Sequence, residues 1–337
     1  MRSEPRVILS GFADEAAVNK KALEQFVAFA ALGLQYYSIR FMDLGGGVKN
    51  VMKLSSEELA TVKRLQADFG LRVSSLGSPI GKIKLRDEED GTKNVYIPFE
   101  RYLAEDVARV CELAGVLETK LIRGFSFYHP KGHDPAPFVN EVVDRLGSIA
   151  DRCAQSGLIF GLEVEANLVG QNGHILAKIH RQLAHPNLVL VFDGANLVVQ
   201  GYTAEEIYQQ YLAMKPGLGW LHIKDYRRPQ REAKGGHVDE HVLKNFVPAH
   251  LGDTGHEVIL RDFAQLLPDL EARLGKLGAP GVFLDLEPHV KGGGQFGGFS
   301  GPDGMGVALR GLCRLLNYVG IRYHLRDFED VRAARGF

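Results

Sequence analysis

Cysteine is scarce in this 337-residue chain, and the few present cannot build a framework. Cys111, Cys153 and Cys313 are scattered, odd in number and form no C-x-x-C pair. That argues against a disulfide scaffold and against a cysteine zinc site. Cys111 and Cys313 fall at helix-like apolar positions, where a buried free thiol is the ordinary reading. Long hydrophobic runs are also missing. None approaches the roughly 20 residues that span a bilayer. The N-terminal MRSEPRVILSGFADE reaches acids by residue 14, without the apolar core or small-residue cleavage site of a signal peptide. The cytoplasm is the simplest compartment. Neither sign of charge dominates: 40 Lys and Arg face 41 Asp and Glu, for a net charge of −1. That disfavours nucleic acid or an anionic membrane as a partner. No G-x-G-x-x-G follows the first apolar run, which weakens a dinucleotide-binding reading.

Hydrophobic residues, in contrast, make up 45% of the chain, enough for a large core. Eight short apolar runs are of strand length and composition: 6–12, 34–41, 71–78, 119–127, 157–165, 188–196, 219–226 and 281–289. Between and after them lie eight segments with helical spacing. The first, 13–33, ends at Gly33. The second opens on a capping box, Ser55 to Glu58, and ends at Gly70. Strict alternation argues for a parallel sheet with crossover helices. Eight units favour closure into a single (β/α)8 TIM barrel over an open, doubly wound sheet. No interdomain linker interrupts the pattern. Residues 1–337 therefore read as one domain, with 323–337 as a C-terminal extension that packs on the barrel base or on a neighbouring subunit of a homo-oligomer. Two long loops, 77–98 and 226–256, read as lids or mobile surface.

The chemistry is expected where the last strands end. The stretch VFLDLEPHV (282–290) places Asp285, Glu287 and His289 at every second position after an apolar start. The 157–165 run ends with Glu163 and Glu165, the next carries Asp193, and the 219–226 run carries His222 and Lys224. Each has a structural alternative: a helix cap for Asp193, a hydrogen-bonded core histidine for His222, a salt bridge to Glu287 or Asp193 for Lys224. Together, at adjacent strand ends of a barrel, they converge on one small volume. Three carboxylates there would repel and take up protons unless a cation lay between them. Three oxygens and one imidazole suit Mn²⁺, Mg²⁺, Co²⁺ or Zn²⁺, with Mn²⁺ first among them.

The motifs GLEVEAN (161–167), VFDGAN (191–196), WLHIKD (220–225) and FLDLEPH (283–289) resemble strands five to eight of the xylose isomerase-like barrel superfamily. This is the sugar phosphate isomerase/epimerase group, which also includes apurinic endonucleases. GFADE (11–15), YYSIR (36–40) and SSLGSP (74–79) fit its first three strands, and QFGGFSGPDG (295–304) resembles a loop after the eighth. The resemblance covers about residues 5–320. It implies a divalent metal held by Glu163, Asp193, His222 and Glu287. In the epimerase branch the two ligand glutamates also move the proton next to the ketone, which implies catalytic roles for Glu163 and Glu287. Many epimerases carry a histidine three residues after the strand-six aspartate, where this chain has Asn196. The expected function is a metal-dependent sugar isomerase or epimerase acting through an enediolate on a small-molecule ketose or keto-sugar. The alternative is a lyase that cleaves 3-keto glycosides by β-elimination. A non-catalytic sugar-binding barrel and an apurinic endonuclease rank lower, the latter because no histidine ends strands two and three. Lys224 is expected to polarise a carbonyl or move a proton, and His289 to act as acid or base. Arg40, Arg123, Glu165, Asn196 and Gln295 are the expected substrate contacts.

Overall fold

In a computed structural model, which describes residues 6–229, 237–239, 243–290 and 301–335, eight parallel strands form a barrel. They are β1 (Ile8–Gly11), β2 (Tyr36–Ile39), β3 (Arg72–Gly77), β4 (Leu121–Gly124), β5 (Ile159–Glu163), β6 (Leu188–Asp193), β7 (Leu218–Ile223) and β8 (Phe283–Leu286). Hydrogen-bonded neighbours run from β2 through β8 and back to β1. The remaining gap, between β1 and β2, is bridged in parallel at Phe12 and Ser38. All eight expected runs are strands, and the expected (β/α)8 architecture is the observed one.

Each strand is followed by a helix. These are α1 (Ala22–Ala31), α2 (Ser56–Phe69), α3 (Ala108–Val116), α4 (Val139–Gln155), α5 (Gly173–Leu183), α6 (Ala204–Met214), α7 (His256–Lys276) and α8 (Gly301–Val319). The capping box on α2 forms as read: Ser55 Oγ accepts from the Glu58 N–H and Glu58 Oε2 accepts from the Ser55 N–H. Gly70 ends that helix at φ 60°, a left-handed conformation that glycine adopts without a Cβ clash. The first helix departs from expectation. Residues 13–15 make only a short 3-10 turn, Lys20 takes a left-handed φ of 54°, and α1 starts at Ala22. The break serves Asp14 and Glu15, which point into the barrel mouth rather than along a helix.

Most inward positions are the apolar wall expected of a barrel, with Trp220 on β7 fully buried. A Cβ on Gly161 of β5 would collide with the Trp220 ring, so the absent side chain makes room for the indole. One layer is polar instead. Ser10, Ser38, Ser74, Ser75 and Asp285 are buried together, with Ser74 and Ser75 donating to the Asp285 carboxylate at 3.3 and 3.5 Å. The C-terminal extension meets the barrel base. Arg326 donates to the carbonyls of Gly33, Leu34, Phe69 and Gly70, which lead into β2 and β3, and a final helix, α9, covers Phe328–Arg335. No helix among the described residues is long and apolar enough to cross a membrane. Cys111 is buried as expected, beside Cys153 on the neighbouring helix, whereas Cys313 is only half-buried.

Candidate metal centre

The ladder registers bring the proposed ligands together. Asp193 at the end of β6 is the partner of His222 on β7, and His222 in turn pairs with Asp285 on β8. Glu163 closes β5. Glu287 lies one step beyond β8, where its N–H donates to the Ile223 carbonyl at 3.1 Å and continues the ladder. One donor atom from each of Glu163, Asp193, His222 and Glu287 lies within 4.8 Å of the other three. Oxygens or nitrogens bound to one ion at about 2.0–2.2 Å stand at most about 4.4 Å apart. A contraction of a few tenths of an ångström would therefore place all four on a single cation.

The electrostatics fit such an ion. All four side chains are almost wholly buried. Asp193 turns Oδ1 to the N–H groups of Ala195 and Asn196, so it does cap the following turn, and keeps Oδ2 on the mouth side. Burial, with Glu163 and Glu287 nearby, pushes its pKa up to about 6 although Lys224 pulls the other way. A buried carboxyl driven towards its neutral form is one that a cation bound beside it would re-ionise. Burial also raises Glu163, but His222 and Arg123 outweigh it and leave this carboxyl at about 2. Glu287 likewise falls well below the usual carboxylate range, because Lys224 and Arg40 overcome its burial. His222 Nδ1 lies 3.0 Å from Glu163 Oε1 and 3.8 Å from Glu287 Oε2. Its Nε2 is buried with no hydrogen-bond partner among the described residues, while the Phe12 and imidazole rings meet edge to face at 5.2 Å between centroids.

The flanking residues form two sets. Lys224 Nζ stands 2.9 Å from Asp193 Oδ2 and 3.5 Å from Glu287 Oε2, which is the salt bridge its structural alternative required. Arg123 Nη1 reaches Glu163 Oε2 at 3.2 Å. Arg40 gives Nη1 to Glu287 Oε1 at 2.5 Å and Nη2 to Asp14 and Glu15 at 3.2 and 3.1 Å. Glu165 is paired with Lys82 at 2.6 Å. Lys20, Arg40, Lys82, Arg123, Glu165 and Lys224, with Glu163 and Glu287, line a cavity of about 300 Å³ between Phe41 and Phe125 at the mouth, a volume at the lower end for small-molecule sites.

Asn196 and His289 lie outside that lining. The Asn196 amide donates to the Val164 carbonyl at 3.1 Å and to Glu163 Oε1 at 3.5 Å. His289 takes a left-handed φ of 46° and swings towards Glu15, with Nδ1 2.7 Å from Glu15 Oε1 and Nε2 3.6 Å from Glu287 Oε1. Each touches one of the glutamates that line the cavity, Asn196 on Glu163 and His289 on Glu287. Gln295 lies outside the described residues. Four site residues escaped the sequence reading: Asp14, Glu15, Lys20 and Lys82. The available signal was the pair of acids in GFADE, directly after β1.

A family model described as a xylose isomerase-like TIM barrel matches residues 26–271. No curated protein matches the chain. Among solved structures, a xylose isomerase-like TIM barrel protein from Mycobacterium smegmatis in complex with magnesium superposes with a TM-score of 0.62 at 19% identity, covering 94% of this chain and 97% of that one. The D-allulose 3-epimerase from Methylomonas sp. gives 0.59 at 15% identity, with 94% and 100% covered. The probable 3-DHS dehydratase AsbF from Bacillus anthracis gives 0.59 at 15% identity, with 91% and 98% covered. At these identities the likeness speaks for the fold.

Proposed function

Since the chain belongs to the xylose isomerase-like TIM barrel family, we propose that it is a divalent-metal-dependent isomerase or epimerase of a ketose or keto-sugar, working through an enediolate. The observation that carries this reading is the convergence of Glu163, Asp193, His222 and Glu287 under one small cavity. These four residues would hold the ion, with Mn²⁺ the proposed native metal, and the ion would supply Lewis-acid charge to the substrate oxygens.

The chain's own groups divide the remaining work. Glu163 and Glu287 both reach the cavity and are the proposed carriers of the proton at the carbon next to the carbonyl. Arg123 and Asn196 orient Glu163 from two sides, as Arg40 and His289 orient Glu287. Lys224 is held protonated because Asp193 and Glu287 outweigh its burial, which suits a donor to a developing oxyanion and not a base.

A lyase is the second reading, and Asn196 is the observation that favours it. Where an imidazole would offer a proton relay, its amide only braces Glu163 and the backbone. The same enolate, once formed from a 3-keto glycoside, expels its β-substituent instead of being reprotonated on the other face.

The test is to incubate Mn²⁺-loaded protein with ketoses and 3-keto glycosides in D₂O. Deuterium gained at the carbon beside the carbonyl, with isomer or epimer formed, supports the first reading. Loss of the aglycone supports the second. No exchange and no cleavage on any substrate would contradict both.

A further inference from the structure

Lys224 stands one residue beyond β7, where the ladder stops fixing the chain: its last bond runs from the Glu287 N–H to the Ile223 carbonyl. A lysine's long, flexible stem places the ammonium only as well as the backbone beneath it is held. Here that backbone is held from outside the barrel. The Lys224 carbonyl accepts from His256 Nε2 at 3.0 Å. A carbonyl oxygen can only accept, so this ring nitrogen carries the hydrogen. His256, the first residue of α7, is buried, and its Nδ1 has no hydrogen-bond partner among the described residues. The one bond that its imidazole makes there is the bond to Lys224.

The next residue is gripped from the same segment. Asp225 Oδ1 accepts from the Tyr226 N–H at 2.8 Å, the Thr254 N–H at 3.1 Å and the Thr254 hydroxyl at 2.7 Å. Thr254 also meets the neighbouring strand end. A Cβ on Gly194, the residue after Asp193, would collide with the Thr254 methyl group. A Cβ on Gly252 would collide with the Asp225 carboxyl group. Residues 251–256 (LGDTGH) therefore pack without clearance on both strand ends, and Thr254 is wholly buried where they meet. Gly194 and Asp225 directly follow Asp193 and Lys224, whose side chains stand 2.9 Å apart.

We propose that Thr254 and His256 are positioning residues, which lock the strand ends carrying Asp193 and Lys224 to each other and so set where the Lys224 ammonium stands. Neither of them lines the cavity. They act through the backbone, as supporting groups do when a site needs its reacting atoms held to a fraction of an ångström. This inference rests on the proposed isomerase or lyase reading for the work that Lys224 does. The lock itself stands on the packing alone.

The test compares the full chain with Thr254→Val, which keeps shape and removes the hydroxyl, His256→Phe, which keeps a ring and removes the donor, and Thr254→Ser, which keeps the hydroxyl. Reductive methylation with formaldehyde and a borane, read by peptide mapping of metal-free protein, reports on Lys224 directly. Lys215, ion-paired to Asp262 outside the barrel, is the internal control. In Thr254→Val and His256→Phe, Lys224 should label at least about tenfold faster with Lys215 unchanged, because only a local opening is eased. In the Mn²⁺-loaded proteins kcat should fall about 10–100-fold with KM little changed. Thr254→Ser should keep labelling and kcat close to wild type. Lys224 as protected as in wild type, both lysines exposed alike, or a freed Lys224 with unchanged kcat overturns the proposal, as does a serine variant as impaired as the valine one. Faster labelling of Lys224 alone, in protein that turns over no substrate, leaves the lock standing and removes the isomerase and lyase readings. Turnover by wild type with Lys224 protected in both variants does the reverse.

Discussion

The Lys224 ammonium lies 2.9 Å from Asp193 Oδ2 and 3.5 Å from Glu287 Oε2, two of the carboxylates proposed to grip a metal. A buried lysine would ordinarily lose its proton. Here Asp193 and Glu287 outweigh the burial and keep the charge. Lys224→Met is therefore expected to lower kcat by about 10²–10³ while metal per protein stays constant by elemental analysis. A variant with wild-type turnover would leave Lys224 a structural counter-ion.

Glu163→Gln and Glu287→Gln keep shape and remove charge. Each should abolish deuterium exchange into substrate, and retained exchange in either would remove that residue from the proton path. His222→Ala should instead show up in metal retention, with affinity reduced by at least about 10–100-fold.

Asp193 makes metal uptake depend on pH. Its pKa of about 6 comes chiefly from burial, against Lys224, with Glu163 and Glu287 adding to the rise. Below that pH the metal-free carboxyl is protonated, and an entering ion must displace the proton. Affinity for Mn²⁺ should fall as pH drops through about 6, by up to tenfold per unit from this carboxyl, and the His222 imidazole, whose pKa Glu163 and Glu287 raise against its burial, adds a second proton that the ion must displace and begins the loss at higher pH. Calorimetric titrations across this range read it directly, and an affinity unchanged down to about pH 5 would contradict the assignment.

His289 shifts in the opposite sense for stability. Burial disfavours its charge, but Glu15 and Glu287 win and raise it to about 9. The unfolded value is about 6.5. The folded state therefore holds the proton more tightly, so this stabilisation is complete below about pH 6.5 and is lost as pH rises through about 9. Denaturation midpoints of metal-free protein should fall over that interval, and His289→Asn should flatten the fall. A variant that tracks wild type would show that another group is responsible.

The strand runs and the gathering of Glu163, Asp193, His222 and Glu287 were legible because both depend on local order. Alternation along a strand names the inward face, and barrel closure does the rest. Alternation failed where the strand stops. Asp285, on β8, belongs to the serine layer, whereas His289 follows a left-handed turn and meets Glu15, 274 residues away in sequence. Asp14 and Glu15 were hidden for a related reason. Their segment has helical composition, yet the contacts of Arg40, Lys20 and His289 hold the two acids at the mouth and outside α1. The sequence shows charged residues near strand ends, but it does not show which of them will pair across the mouth.

Gly161 tests the packing that supports the site. The residue sits in the middle of β5, two positions before Glu163, and any side chain there strikes the buried Trp220 ring. Gly161→Ala should cost about 1–3 kcal/mol in denaturant unfolding and lower metal affinity by displacing Glu163. An alanine variant with wild-type stability would show that β5 and β7 can part without penalty.

Whether one divalent cation is held jointly by Glu163, Asp193, His222 and Glu287 can be read most directly from an anomalous difference map of a manganese-soaked crystal. One strong peak is expected within about 2.0–2.4 Å of a donor atom from each of the four residues. A map with no peak there, or a peak bound elsewhere with these side chains turned apart, would contradict it.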